Sequence, residues 1–265
     1  MNDKRVLLKV NHLTKQYQDG DEVVLNDLNL NVYEEDFLSV LGPSGCGKST
    51  LIRCIAGFED FQGEILVDDK PVRRPGPDRV MVFQDFNQLF PWKTVLGNIT
   101  YPLKVCGLKD KAERRRKAEE YLQKVNLLKY KNYYPHQLSG GMKQRVAIAR
   151  GLALGSKIML MDEPFAALDA MTRNQMQDEL LSIKEKEKMT VIFITHNIQE
   201  AVCLGNRIIV MGGNGVIKEH IENKLQRPIS PATPGYGQMW EHLHAMLVEE
   251  SRFHSENIRK KEADE

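Results

Sequence analysis

The chain has 265 residues, 42% of them hydrophobic, with 37 basic and 36 acidic side chains and a formal net charge of +1. That composition supplies a core for one large or two small domains, and the charge balance removes any general electrostatic case for nucleic acid as a partner. No stretch approaches the roughly 20 apolar residues of a membrane-spanning helix, Met1 to Lys9 does not resemble a signal peptide, and Cys46, Cys54, Cys106 and Cys203 are scattered without metal-knuckle or CxxC spacing, as expected of reduced thiols in a cytosolic protein.

In chain order, residues 6–10 and 23–32 alternate apolar and polar positions and read as half-exposed strands of an antiparallel sheet. Phe37 to Leu41 is an apolar run that enters a glycine-rich turn, with a helix expected from Lys48 to about Gly57 and strands at 63–67 and 79–83. From Thr94 to Leu128 the pattern is helical, with an apolar stripe at Ala118, Leu122, Val125 and Leu128 and a solvated basic face from Arg114 to Lys117. A helix near 141–154, a buried strand from Ile158 to Met161, a long helix near 170–188 and a buried strand from Val191 to Ile194 follow. The expectation is an α/β fold, with a mostly parallel core sheet flanked by helices and a helical insertion between 84 and 138. The segment 227–235, with three prolines and a glycine, reads as a linker. A short amphipathic helix near 236–249 and a charged, disordered last dozen residues complete the chain.

Gly42-Pro43-Ser44-Gly45-Cys46-Gly47-Lys48-Ser49-Thr50 matches G-x-x-x-x-G-K-[ST] between an apolar strand and a helix. Glycines let the backbone curl so that successive N–H groups face phosphate oxygens, and the helix N-terminus adds its positive dipole end. Lys48 then supplies a point charge to the outer phosphates of ATP, and the Ser49 hydroxyl is a candidate Mg²⁺ ligand. Cys46, at a helix N-terminus, is expected to favour the thiolate, so that alkylation inhibits and ATP protects. The second half of a nucleotide site is the apolar strand that ends in Asp162-Glu163: Asp162 for the metal, Glu163 to polarise the attacking water as general base.

Leu138-Ser139-Gly140-Gly141-Met142-Lys143-Gln144-Arg145 resembles the signature motif of ATP-binding-cassette ATPases, with Met142 where glutamine is commonest. The resemblance runs over about residues 5–225. It implies a P-loop NTPase domain over 1–226, with an antiparallel β subdomain and a helical signature-motif subdomain at about 85–155; residues 227–265 are left to linker, short helix and tail. It further implies that Ser139, Gly140 and Gly141 face the γ-phosphate held by a second ATPase subunit, so the working form is a head-to-tail dimer, taken as a homodimer. By the same resemblance Gln84 senses Mg²⁺ and the attacking water, Ala167-Leu168-Asp169 is the loop crossing between subunits, His196 contacts the γ-phosphate, and Tyr17 stacks on adenine. Phe86, Leu89, Phe90, Pro91 and Trp92 would line the groove for a short helix of a multi-spanning permease.

A finer similarity to importer subunits for nitrate, sulfonate, taurine and related small anions or pyrimidine precursors rests on Arg74 to Arg79, on Leu89-Phe90-Pro91-Trp92 with Thr94-Val95, and on Arg227-Pro228. It places the chain peripherally at the cytoplasmic face of the membrane, with a substrate-binding protein as an indirect partner and no nucleic acid. The alternative is a soluble cassette ATPase of DNA-repair or translation type, which usually carries a long coiled-coil insertion or two tandem cassettes; neither is present here.

Overall fold

The computed structural model describes residues 4–17, 23–83, 88–166 and 168–264, with side chains through Ser251. The chain forms two compact units, residues 1–75 with 192–265, and residues 76–191.

In the first unit, β1 (Val6–Gln16), β2 (Val23–Tyr33), β4 (Gln62–Val67) and β5 (Lys70–Pro71) make an antiparallel sheet in the order β2-β1-β4-β5. Both long strands exceed or break the simple alternation read from sequence, for a local reason. His12 and Asp27 adopt left-handed backbone (φ 52° and 49°), and the β1–β2 register shifts beside them. Each bulge inserts a residue and resets which side chains face the core, so β1 continues to Gln16 although its alternation stops at Val10.

The same unit holds β3 (Phe37–Leu41), buried at every position and parallel to β9 (Arg207–Met211), with β10 (Ile217–Glu222) antiparallel at the edge. Strand β8 (Thr190–Thr195), in which the chain returns to this unit, lies on the other side of β3. β3 is apolar except for Ser39, whose buried hydroxyl donates to the Ala201 carbonyl at 3.2 Å, as a strand buried on both faces requires. A buried carboxylate fastens its start. Asp36, 1% exposed, receives Arg207 Nη1 at 2.7 Å, Asn206 Nδ2 at 3.2 Å and the Tyr33 N–H at 3.0 Å.

After β3 come α1 (Lys48–Ala56) and, far along the chain, α6 (Ile198–Leu204) and α7 (Tyr236–Asp264). The expected short helix near 236–249 and unstructured last dozen residues are corrected here, because the helical backbone runs on to Asp264. Tyr236 and Leu243 of α7 join Leu41, Ala201, Val202 and Val210 in one buried cluster, which holds the helix down. The proline-rich segment before it is pinned rather than loose: Arg227 donates to the carbonyls of Cys203 at 2.9 Å and Leu204 at 2.6 Å.

The second unit contains β6 (Arg79–Val82) parallel to β7 (Ile158–Asp162), with α2 (Val95–Val105), α3 (Lys111–Lys124), α4 (Gly140–Leu154) and α5 (Ala170–Glu187). Helix α4 runs close to the strands at Gly151, where a Cβ would lie 3.0 Å from Met159 and 3.3 Å from Val80. The apolar stripe of α3 holds for Ala118, Leu122 and Val125, but its fourth member shifts. The helix ends at Lys124, Asn126 turns left-handed (φ 57°), and Leu127, 1% exposed, takes the buried place expected of Leu128. The phase of a helical stripe does not survive a left-handed residue. Leu122→Ala should therefore lower stability by about 2–5 kcal/mol, and Leu128→Ala by less than half as much, as read from denaturant midpoints.

Candidate nucleotide site

The candidate phosphate loop, residues 42–50, belongs to the first unit. Gly47 precedes α1 with φ 101° and ψ 3°, a conformation that side chains rarely adopt. A Cβ there would lie 2.8 Å from the Val24 carbonyl oxygen and 2.9 Å from Leu25 Cδ2, so the position has neither the torsional freedom nor the space for another residue. Gly45 is also left-handed (φ 82°), and the loop alternates hidden and open members: Cys46, Gly47 and Lys48 are buried, while Ser44, Gly45 and Ser49 are exposed. The Lys48 ammonium donates to the Gly42 and Pro43 carbonyls at 2.8 and 2.7 Å. The lysine is thus held along its own loop by the backbone that curls around it.

Cys46 departs from expectation. Its side chain is 1% exposed, and burial raises the thiol pKa more than the nearby Lys48 ammonium and local hydrogen bonds lower it. Desolvation disfavours a thiolate more strongly than a helix N-terminus favours it here. Cys46 is packed within the loop, where burial disfavours its thiolate.

Two further expected residues sit in this unit. Tyr17, at the end of β1, is 39% exposed, with the Lys15 ammonium 4.6 Å from its ring centroid; Lys15 is itself bonded to the Asp60 carbonyl and Glu59. His196 is exposed immediately after β8, and its flanks are fixed. Thr195 Oγ1 bonds Glu200 at 2.6 Å and accepts from the Asn197 N–H at 3.0 Å, while the Asn197 side chain caps α6. An open groove of about 720 Å³ in the same unit, bordered by Asn11, Asn31, Arg207 and His220, includes none of these residues.

The second unit carries the carboxylates. Asp162 closes β7 at 8% exposure, and Glu163 follows in left-handed backbone (φ 44°), half-buried. A non-glycine residue held there is strained by of order 1–3 kcal/mol, which surrounding structure must sustain. Nothing in the residue order Asp-Glu-Pro announced that strain. Ser139 caps α4, accepting the Met142 N–H at 3.3 Å, and is exposed at the helix N-terminus. Gly140 opens the helix, and Gly141 is buried where a Cβ would lie 3.2 Å from Thr172 Cγ2. Asp169 caps α5 through the N–H groups of Met171 and Thr172, and these bonds to its carboxylate hold its pKa down. The unit thus brings together the Ser139–Gly141 turn and the helix that Asp169 starts.

Gln84, Phe86 and Ala167 lie outside the described residues. Of the aromatic segment, Leu89 is core at 2% exposure, a correction to its place in a groove, whereas Trp92 is 71% exposed. Phe90 contacts Trp92 and Tyr101 at ring-centroid distances of 5.7 and 5.4 Å.

Two residues in this region escaped sequence reading. Buried Asn98 accepts the Phe90 N–H and donates to the carbonyls of Phe90, Lys93 and Thr94, holding the aromatic turn. Gln88 brackets Phe83 through both its N–H and carbonyl, and reaches Gln144 of α4 at 3.2 Å. Polar residues inside an apolar segment were the available signal.

The family described as ABC transporter matches residues 25–166. The chain belongs to the ABC transporter family. This ABC cassette is 51% identical over 228 residues to an uncharacterized ABC transporter ATP-binding protein of Methanocaldococcus jannaschii, covering 84% of this chain and 85% of that protein. It is 43% identical over 236 residues to an aliphatic sulfonates import ATP-binding protein of Bacillus cereus, covering 88% and 92%. Among solved structures it resembles a dimeric ATP-binding cassette in a post-hydrolysis state bound to ADP and Pi (TM-score 0.72, 35% identity, 82% of this chain and 99% of that one). It also resembles cbiO1 from Clostridium perfringens, part of an ABC transporter complex (TM-score 0.74, 30% identity, 82% and 88%).

The cassette is an ATP-binding subunit and an ATP hydrolase of the P-loop α/β class. Among the described residues no helix is long and apolar enough to cross a membrane. Because Cys106 is exposed and Cys46 buried, iodoacetamide at pH 8 should label Cys106 well before Cys46 in the native cassette, as peptide mass mapping would show. Equal rates would contradict the buried thiol.

Proposed function

We propose that the cassette is the ATP-hydrolysing subunit of an importer, working as a head-to-tail pair at the cytoplasmic face of the membrane and driving uptake of an aliphatic sulfonate or similar small anion through a separate permease. The import ATP-binding relative supports the substrate class and the dimeric neighbour supports the pairing. The observation that carries the catalytic reading is Glu163. It is a carboxylate held in strained backbone directly after a buried strand and Asp162, the kind of over-determined placement that active sites sustain.

In this reading the backbone N–H groups of residues 44–50 and the Lys48 ammonium bind the phosphates, and Tyr17 stacks on adenine. The Ser49 hydroxyl, the Asp162 carboxylate and the Gln84 amide oxygen are hard donors of the kind Mg²⁺ takes, with phosphate and water as the remaining ligands. When bound, Mg²⁺ supplies neutralisation of charge on the β- and γ-phosphates. Glu163 accepts the proton of the attacking water as it adds to the γ-phosphorus, and ADP leaves in line. His196, whose flanks are locked by Thr195 and Asn197, donates a hydrogen bond to the γ-phosphate. Ser139, Gly140 and Gly141 of a second copy present a helix N-terminus to the same phosphate, and Asp169 holds the start of α5 against which that turn packs.

Glu163→Gln should keep ATP binding and lose hydrolysis by about 10²-fold or more, measured as phosphate release at saturating ATP; unimpaired turnover would remove Glu163 from the base role. For coupling, Trp92→Asp should leave ATP hydrolysis by the isolated cassette within about two-fold of the parent while abolishing co-purification with the permease. Retained co-purification would place the docking surface elsewhere.

A further inference from the structure

Glu250, on α7, is a buried carboxylate that takes no part in the chemistry above. It is 7% exposed; one oxygen accepts the Gly213 N–H at 3.2 Å, and the other pairs with Lys218 Nζ at 2.9 Å. Burying a carboxylate is unfavourable unless it is paired and hydrogen-bonded, and here both partners flank one structure, the turn between β9 and β10. That turn is a single helical turn over 213–215 containing Asn214 in left-handed backbone (φ 56°), preceded by Gly212. Three of its four residues from 212 to 215 are glycine, so the chain itself does little to fix its shape.

What the turn supports gives the latch a consequence. A Cβ on Gly42, the first residue of the phosphate loop, would lie 2.5 Å from the Met211 carbonyl oxygen. A Cβ on Gly47, the last glycine of that loop, would lie 3.5 Å from Gly215 Cα. Gly215 in turn presses on the same Val24 carbonyl and Leu25 side chain that crowd Gly47, at 2.5 Å from a Cβ built on it. The two glycine ends of the loop therefore lie beside residues 211 and 215, with no room for a side chain between Gly42 and Met211, and Glu250 grips the segment between 211 and 215. A Cβ on Gly212 would come 2.1 Å from the Glu250 carboxylate, which shows how closely the side chain fits.

We propose that Glu250 is a positioning residue for the phosphate loop. By fixing the 212–215 turn from the C-terminal helix it keeps the floor beneath Gly42 and Gly47 in place, so that the loop's N–H groups are set before ATP arrives and little ordering remains to oppose binding. The C-terminal helix thereby sets ATP affinity from outside the motifs. This inference rests on residues 42–50 being the ATP site.

The test uses the full chain, with the Kd of a fluorescent ATP analogue and steady-state ATPase kinetics. Glu250→Ala should raise the ATP Kd and the KM about five-fold or more, the effect of one lost buried hydrogen bond to a charged group, while kcat changes less than about two-fold because Glu163 is untouched. Glu250→Gln, which keeps a carbonyl acceptor for the Gly213 N–H, should restore most of the affinity. Should Glu250→Ala fail to fold, Lys218→Met, at a 40% exposed site, loosens the same latch and should raise Kd in the same direction. Wild-type Kd and KM in the folded variant, or a fall in kcat at unchanged KM, would overturn the proposal. Failure of the parent chain to bind the analogue would instead overturn the assignment of the loop.

Discussion

The structure of the first unit turns on one backbone torsion. Where β3 gives way to α1, the chain must reverse within a few residues and still present a row of N–H groups, and Gly47 does this at φ 101° against the Val24 carbonyl and Leu25. Any Cβ would collide there, so the loop, the start of α1 and the direction of Lys48 all follow from the absence of one carbon atom. The surrounding parts hold this geometry from below. Val24 and Leu25 come from β2, and Gly215 from the turn after β9.

The second unit solves its presentation problem with helix caps. Ser139 and Asp169 each stand at an N-cap, accepting N–H groups that the first helical turn leaves without partners. A capped N-terminus is locally rigid and polar, because the cap side chain satisfies N–H groups that would otherwise need water. Asn197 does the same for α6 beside His196 in the first unit. Glu163 is different, because its position is maintained at a cost in backbone strain rather than by a favourable local motif.

Aromatic exposure in the second unit has its own support. Trp92 is open to solvent, but the turn that carries it is stapled by Asn98, which accepts the Phe90 N–H and shares its two amide hydrogens among the carbonyls of Phe90, Lys93 and Thr94. A rigid turn with an exposed indole is suited to docking, because little side-chain or backbone entropy is lost when a partner arrives.

Much of the α/β pattern was legible in the residue order. β3, β7 and β8 are largely apolar and buried at every position, with polar members only at Ser39, Asp162 and the two threonines that end β8, and such segments have few alternatives to burial between layers. The glycine turn at 42–47 between β3 and α1 was legible too, because glycines at fixed spacing set a local backbone requirement. The sequence by itself therefore determined the buried strands before residue 195, the main helices and the ATPase family, but not α6, β9 or β10.

What only the tertiary structure decided depends on distant neighbours. Burial outweighs helix position at Cys46 and pushes its thiol pKa up. Left-handed residues at His12, Asp27 and Asn126 reset side-chain phase, which no periodicity foretells for non-glycine residues. The C-terminal helix packs its Glu250 against a glycine turn 37 residues earlier in the chain, a relation that has no local signature because the pairing of a carboxylate with a backbone N–H is specified by how the layers meet, not by either segment alone.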